Sequence, residues 1–229
     1  LLADGSTGTP VDLMRGMRAN VPSRPHGDDS EFTFSPDGSR VVFAARLADR
    51  VETWSTNFDL YEVGLDGGTP RNLTADNPAW DTQPRFLADG SLAWLAMSRP
   101  GFESDRYRVL LRDATGGPAR ELTTGWPLSA TALGVARDGR TLLLSADERG
   151  QVPLFRLDPR RPGTPERLTA SGQVQAFVDS PRGPFIALAS LDAAAAGLLG
   201  AGLQTYLSPV RNALIPSGAA GPLCTSLPE

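Results

Sequence analysis

The single histidine of this 229-residue sequence, His26, lies in Pro25-His26-Gly27-Asp28-Asp29. An imidazole acts as a general base only beside a nucleophile and a group that orients it. No G-x-S-x-G elbow occurs anywhere in the sequence to supply a serine nucleophile. His26 therefore reads as a solvated loop residue, and no Ser-His-Asp triad can be assembled. Asp28, Asp29 and Glu31 form a small acidic cluster that could hold a cation or a peptide amino group. A solvated loop is the stronger reading, since no EF-hand or phosphate-loop spacing accompanies it. One cysteine, Cys224, excludes an internal disulfide and any Cys-based zinc site. No catalytic residue, metal ligand or cofactor is expected from these side chains.

Other residues invite a binding reading. Trp54, Trp80, Trp94 and Trp126 could form a stacking surface. Trp94 falls in an apolar run and is expected in the core; the other three fall in connecting segments, where they are expected to pack one repeat unit on the next. Arg99-Pro100-Gly101-Phe102-Glu103-Ser104-Asp105-Arg106 is a long polar excursion whose charges balance. Asn72-Leu73-Thr74 matches a glycosylation sequon, but it also belongs to a repeat that explains it without a sugar.

That repeat is the strongest signal in the sequence. Asp37-Gly38, Asp89-Gly90 and Asp138-Gly139 each stand between two short apolar runs, 52 and 49 residues apart. A second anchor follows each: Arg71-Asn72-Leu73-Thr74, Arg120-Glu121-Leu122-Thr123 and Glu166-Arg167-Leu168-Thr169. Between the anchors lies an alternating run with an aromatic residue: Asp59-Leu60-Tyr61-Glu62-Val63, Tyr107-Arg108-Val109-Leu110 and Leu154-Phe155-Arg156-Leu157. A Gly-containing turn closes each run. Each unit thus reads as four strands, with Gly supplying the positive φ of a tight turn and Pro36 presetting the first. No long helical periodicity intervenes. Four-stranded units recurring at roughly 40–50 residues are propeller blades. The expected fold is all-β, a partial β-propeller of four-stranded antiparallel blades of the TolB-like or WD-like kind.

The expected division follows. Residues 1–31 hold the end of a preceding blade and a loop; 32–83, 84–131 and 132–177 are blades; 178–192 start a further one, with a turn at Val178–Gly183 and a strand from Phe185. Residues 193–229 form an irregular tail with two charged residues, Arg211 and Glu229. It reads either as a divergent blade or cap, with a short helix near Ala193–Leu199, or as a frameshifted end, the latter favoured by the abrupt change in composition. The start, with no initiator Met and no signal-peptide pattern, reads as truncated.

Composition sets outer limits. A net charge of -4 argues against a nucleic-acid surface, and no run reaches the eighteen apolar residues of a membrane span. Every basic residue is Arg, a pattern of GC-rich coding. Gly and Pro together number 44, as a turn-rich fold requires.

Phe34-Ser35-Pro36-Asp37-Gly38 with the later Arg-x-Leu-Thr resembles the propeller repeat shared by TolB and the prolyl oligopeptidase family. Three segments are more discriminating: Glu52–Tyr61, Asn77–Pro84 and Ala96–Arg106 resemble the dipeptidyl-peptidase V and acylaminoacyl-peptidase-like members, over about Val21 to Ser190. The resemblance implies a propeller that covers a C-terminal α/β-hydrolase domain of the parent protein and limits access to short peptide substrates. That hydrolase part is absent from this sequence, so no catalytic residue carries over. The implied function is the non-catalytic, substrate-gating portion of a serine exopeptidase releasing short peptides from oligopeptide N-termini. The alternative is a stand-alone TolB-like scaffold for protein interactions. The compartment stays open between a periplasmic or secreted parent and, as the alternative, a cytoplasmic one.

Overall fold

The computed structural model describes residues 9–47, 54–170, 172–180 and 183–188; the tail 193–229 and its expected helix lie outside them. The strands come in meanders that pair antiparallel in chain order. The first blade is β1 (Phe32–Phe34), β2 (Arg40–Ala45), β3 (Asp59–Gly64) and β4 (Arg71–Asn72). The second is β5 (Asp81–Phe86), β6 (Leu92–Ala96), β7 (Arg108–Arg112) and β8 (Arg120–Glu121). The third is β9 (Ala130–Val135), β10 (Leu142–Ala146), β11 (Leu154–Leu157) and β12 (Glu166–Arg167). A hairpin of β13 (Val174–Ser180) and β14 (Gly183–Leu188) follows. Among the described residues there is no α-helix, and the all-β expectation holds.

Both sequence anchors have a local cause. At each Asp-Gly the glycine takes positive φ, 68°, 85° and 67° for Gly38, Gly90 and Gly139, a conformation that costs other residues steric energy. The glycine N–H bonds back to the carbonyl three residues earlier, on Ser35, Leu87 and Ala136. The aspartate accepts from the backbone just beyond: Asp37 from Ser39 N, Asp89 from Ser91 N, Asp138 from Arg140 N. The Leu-Thr ending works differently. The Leu N–H continues the ladder past the short fourth strand, Leu73 to Leu60 O, Leu122 to Val109 O and Leu168 to Leu154 O. The Thr hydroxyl then accepts the same residue's N–H: Leu60 to Thr74 Oγ1 at 2.9 Å, Val109 to Thr123 Oγ1 at 3.1 Å, Leu154 to Thr169 Oγ1 at 3.0 Å. A two-residue strand thereby leaves no orphaned amide at this point of its longer neighbour.

Successive blades are tied where one ends and the next begins. Asp81 N donates to Phe58 O, Ala130 N to Tyr107 O and Val174 N to Val152 O. Side chains alternate across each sheet, so each central strand serves two interfaces. Val42, Ala44 and Leu60 pack against Leu92, Trp94 and Ala96 of the second blade. Ala93, Leu95, Val109 and Leu111 pack in turn against Leu142, Leu144 and Phe155 of the third. Both β6 and β10 are buried at every residue. On its far side the third blade places Leu143 and Leu154 on Val174.

Two features depart from the sequence expectation. The sheets begin at Asp81, Ala130 and Val174, ahead of residues 84, 132 and 178, because pairing runs back past the motif; Pro84 sits inside β5, at a bulge between Thr82 and Arg85 where a missing N–H is tolerated. Residues 9–28 carry turns and no strand. They form a strap whose Leu13, Met14, Met17, Ala19 and Val21 cover Val41, Phe43, Ala45, Tyr61 and Val63, the face of the first blade turned away from the second.

Candidate functional site

In a four-stranded meander the connections fall alternately at opposite ends. The Asp-Gly turns lie at one end. At the other lie the described parts of the links from second to third strand, 46–47, 54–58 and 97–107, and the links between blades. Aromatic and cationic side chains collect at this second end. Arg46 lies 5.1 Å over the Phe58 ring. Phe58 stacks on Trp80 at 4.5 Å and 13°, and Trp80 meets Tyr107 edge-on at 6.4 Å. The row crosses from the first blade to the second, with Phe58 buried and Trp80 and Tyr107 half-buried. Burial, with Asp81 adding to it, pushes the Tyr107 phenol above its ordinary range, so it remains a neutral donor.

The excursion at 99–106 is organised from within. Asp105 is buried and accepts from Ser98 N, Ser98 Oγ, Arg99 N and Arg99 Nε. Burial alone would raise its carboxyl, but these donors hold it well below the usual range. Arg99 then lies 4.0 Å over Phe102, which is 44% exposed. Gly101 N donates to Thr56 Oγ1 at 3.0 Å, joining the two connections. Trp54, in the first connection, is 85% exposed. It does not pack blade on blade as expected. Trp126 does, edge-on to Phe155 at 5.2 Å and 3% exposed, and Trp94 is in the core at 1%. This end can hold a partner by stacking and by cation–π contact.

Beneath it lies a polar junction that sequence reasoning missed. Asp81 is completely buried. It accepts from Trp94 Nε1 at 2.7 Å and from Asn77 Nδ2 at 3.0 Å, and Asn77 also donates to Met97 O. Desolvation dominates and pushes its carboxyl up to about 7, against the pull of its donors. Arg112 lies 5.5 Å over the Trp94 ring and donates to Leu73 O of the first blade. The Trp94 indole is thus held by a hydrogen bond from its edge and by a cation over its ring. The diagonal placement of Asp81 and Trp94 across the Asp89-Gly90 hairpin, where Asp81 pairs with Ala96, was the available signal. Gln83, at φ 50°, was also missed. Its side-chain amide donates to Thr131 O and accepts from Leu133 N, standing in for a peptide group between the inner strands of two blades.

The residues singled out in the sequence are separated and mostly occupied. His26 is exposed in a turn of the strap. Asp28 accepts from Ser30 N and caps the 3-10 turn Asp29–Glu31. Glu31 accepts from Ser23 N and Oγ, both at 2.6 Å, pinning the strap. Arg85, half-buried in β5, donates to Ser30 O beside the two aspartates. The acidic cluster is therefore part of the anchorage between strap and blades. Asn72 donates to Asp59 Oδ2 and accepts from Thr74 N, which gives the sequon a structural use. A cavity of about 400 Å³ opens over the third blade beside Thr141, Arg156, Asp158 and Glu166, where Arg156 and Glu166 pair at 2.7 Å. Among the described residues no group of His, Cys, Asp or Glu side chains is arranged to hold a metal ion.

Fold and repeat define an arc of TolB-type propeller blades. The structure is similar to a putative TolB from Agrobacterium tumefaciens, with a TM-score of 0.55 and 22% identity over 71% of this chain and 54% of that one. It is also similar to a puromycin-hydrolyzing peptidase of Mycobacterium tuberculosis, with a TM-score of 0.51 and 20% identity over 72% of this chain and 30% of that one. In sequence it is 29% identical over 156 residues to dipeptidyl-peptidase 5 of Porphyromonas gingivalis, covering 67% of this chain and 23% of the relative. It is 39% identical over 102 residues to dipeptidyl-peptidase 5 of Porphyromonas endodontalis, covering 44% and 15%. No protein-family model matches the chain. The chain spans about a quarter or less of the length of these curated relatives. Along its blades the chain is similar to a part of these dipeptidyl-peptidase 5 proteins.

Proposed function

We propose that this chain is the substrate-gating part of a serine exopeptidase that releases short peptides from the N-termini of oligopeptides. The observation that carries the reading is the sequence likeness to dipeptidyl-peptidase 5 proteins along the blades. The sequence supports it by holding one histidine and no nucleophile elbow, so the bond chemistry belongs to an α/β-hydrolase domain of the parent protein. The blades contribute a wall in which β6 and β10 are buried on both faces. A ring of such blades leaves a central channel, which would pass narrow chains and stop folded ones.

The test uses the chain alone and the longer protein carrying it. The chain alone should release no product from dipeptidyl anilides, and the longer protein should. Deleting residues 32–170 from the longer protein should extend its cleavage from short peptides to larger ones. An unchanged size limit, in a variant that still turns over a dipeptidyl anilide, would refute gating. Turnover by the chain alone would refute the division of labour.

A further inference from the structure

Gln83 is a residue that the repeat does not call for. Counted from the amides that tie each blade to the one before, on Asp81, Ala130 and Val174, its counterparts are Ala132 and Ala176, which carry no polar side chain. The second and third blades are joined without it, by Ala130 N on Tyr107 O, by Ala88 N on Gly139 O and by the apolar packing between them. Yet Gln83 takes a φ of 50°, which is unfavourable for a residue with a Cβ, at the bulge between Thr82 and Arg85. From there its side chain meets two backbone groups of β9. Nε2 donates to Thr131 O at 3.1 Å, and Oε1 accepts from Leu133 N at 3.0 Å.

Those two groups flank Ala132. In a parallel ladder, one residue of the added strand donates to the carbonyl just before its opposite number and accepts from the N–H just after it. The Gln83 amide thus makes, by itself, the contacts that one residue of a parallel strand would make opposite Ala132. Among the described residues β9 is the end strand of its sheet, paired with β10 alone, and Thr131 is exposed. Alternation places Leu133 O and Val135 N next along the same edge, opposite Gly134, in the same arrangement. Strands β1, β5 and β9 meet in turn, as the innermost strands of blades do around a central channel. We propose that this edge of β9 docks an extended peptide running parallel to it, and that the Gln83 amide holds the place until the peptide displaces it. The occupant follows from the contacts that Gln83 imitates, which are those of a main chain and not of a particular side chain. Pairing of this kind selects for extension and tolerates many sequences, with proline rejected where an N–H must donate. The inference goes beyond gating and does not rest on it, because binding is measured on this chain without turnover.

The probe is a fluorescein-labelled octapeptide of alternating Val and Lys, titrated against the full chain and followed by anisotropy. Gln83→Ala and Gln83→Asn both vacate the edge; the second keeps a residue that tolerates left-handed φ but is a methylene too short to reach both groups. Each variant should bind the peptide roughly ten-fold more tightly than wild type, as removal of a competitor held by two hydrogen bonds requires. The same octapeptide N-methylated throughout keeps its side chains and charge but has no N–H to donate, and should lose that gain. A benzophenone in mid-peptide should cross-link to residues 130–135, read by mass spectrometry. Equal binding by wild type and both variants, a gain kept by the methylated peptide, or cross-links on β4, β8 or β12 would each overturn the proposal. Near-ultraviolet dichroism reports the fold of each variant. If Ala at this position disrupts it, the Asn variant carries the test; collapse of both would make Gln83 a structural tie between blades and overturn the proposal as well.

Discussion

Asp81 makes the stability of the junction between the first two blades depend on pH in a direction opposite to that set by Asp37, Asp105 and Asp138. Unfolded, its carboxyl ionises near 3.8; folded, burial raises it to about 7. Between those values the folded state holds a proton that the unfolded state has released. Unfolding free energy therefore falls as pH rises, with the full contribution present below about pH 4 and lost by about pH 7. Each tenfold gain in proton affinity on folding corresponds to about 1.4 kcal/mol, so the upper bound is about 4 kcal/mol. The donors Trp94 and Asn77 favour the ionised form and relaxation softens burial, so about 2 kcal/mol is the expected size. Asp59, also raised by burial, adds to the slope in the same sense. Asp37, Asp105 and Asp138 have lowered carboxyls, and their stabilisation is lost only as pH falls below that window. The perturbation is Asp81→Asn, which keeps an acceptor for the Trp94 N–H and removes the charge. Urea unfolding followed by tryptophan fluorescence from pH 4.5 to 8 should show the wild-type chain losing about 2 kcal/mol. The variant should lose much less and be the more stable of the two at pH 8. A variant less stable than wild type at pH 8, with an unchanged slope, would show that Asp81 is ionised in place and the reasoning wrong.

Gly139 and Gly38 share nearly the same φ, but a Cβ on Gly139 would stand 2.5 Å from Ala88 Cβ, while Gly38 faces open space. Gly139→Ala should cost about 2–4 kcal/mol and Gly38→Ala about 1 kcal/mol, read by thermal unfolding; equal costs would refute the close approach. Thr123→Val should lose about 1–3 kcal/mol by orphaning the buried Val109 amide, and Thr123→Ser should recover most of it. Gln83→Glu, which removes the donor to Thr131 O, should destabilise by about 1 kcal/mol at neutral pH and regain that loss on acidification.

The parts of this fold that were legible in the sequence are those fixed within one blade. A tight turn needs Gly, and the residue types at Asp37-Gly38 show it without reference to anything distant. The Leu-Thr ending is likewise a matter between neighbouring strands, so it repeats in the sequence as it repeats in space. What was not legible lies between blades. The hairpin sets Asp81 and Trp94 on neighbouring strands, but their residue types do not say that the carboxylate will be sealed, because the seal is completed by Arg112 and Leu73, which lie further off. Gln83 reads as an ordinary strand residue until its amide meets β9, 48 residues on. Trp54 failed for the converse reason: its position in a connection was visible, but its lack of burial was not. The part played by Leu13, Met14, Met17 and Val21 was not legible either, because the face of the first blade that they cover is set by β2 and β3, far along the sequence.

The threonine at the end of each blade bears on how such proteins change length. Thr74, Thr123 and Thr169 satisfy an amide of their own blade, so each unit is complete in itself at its outer edge. At the inner edge the newcomer's first amide finds a carbonyl at the same place in whichever unit precedes it, Phe58, Tyr107 or Val152. A gene duplication or deletion spanning one Leu-Thr to the next, 49 or 46 codons, would therefore insert or remove a unit without stranding the amide at either of these two places. Selection on such a lineage can vary the number of units before it varies their sequence.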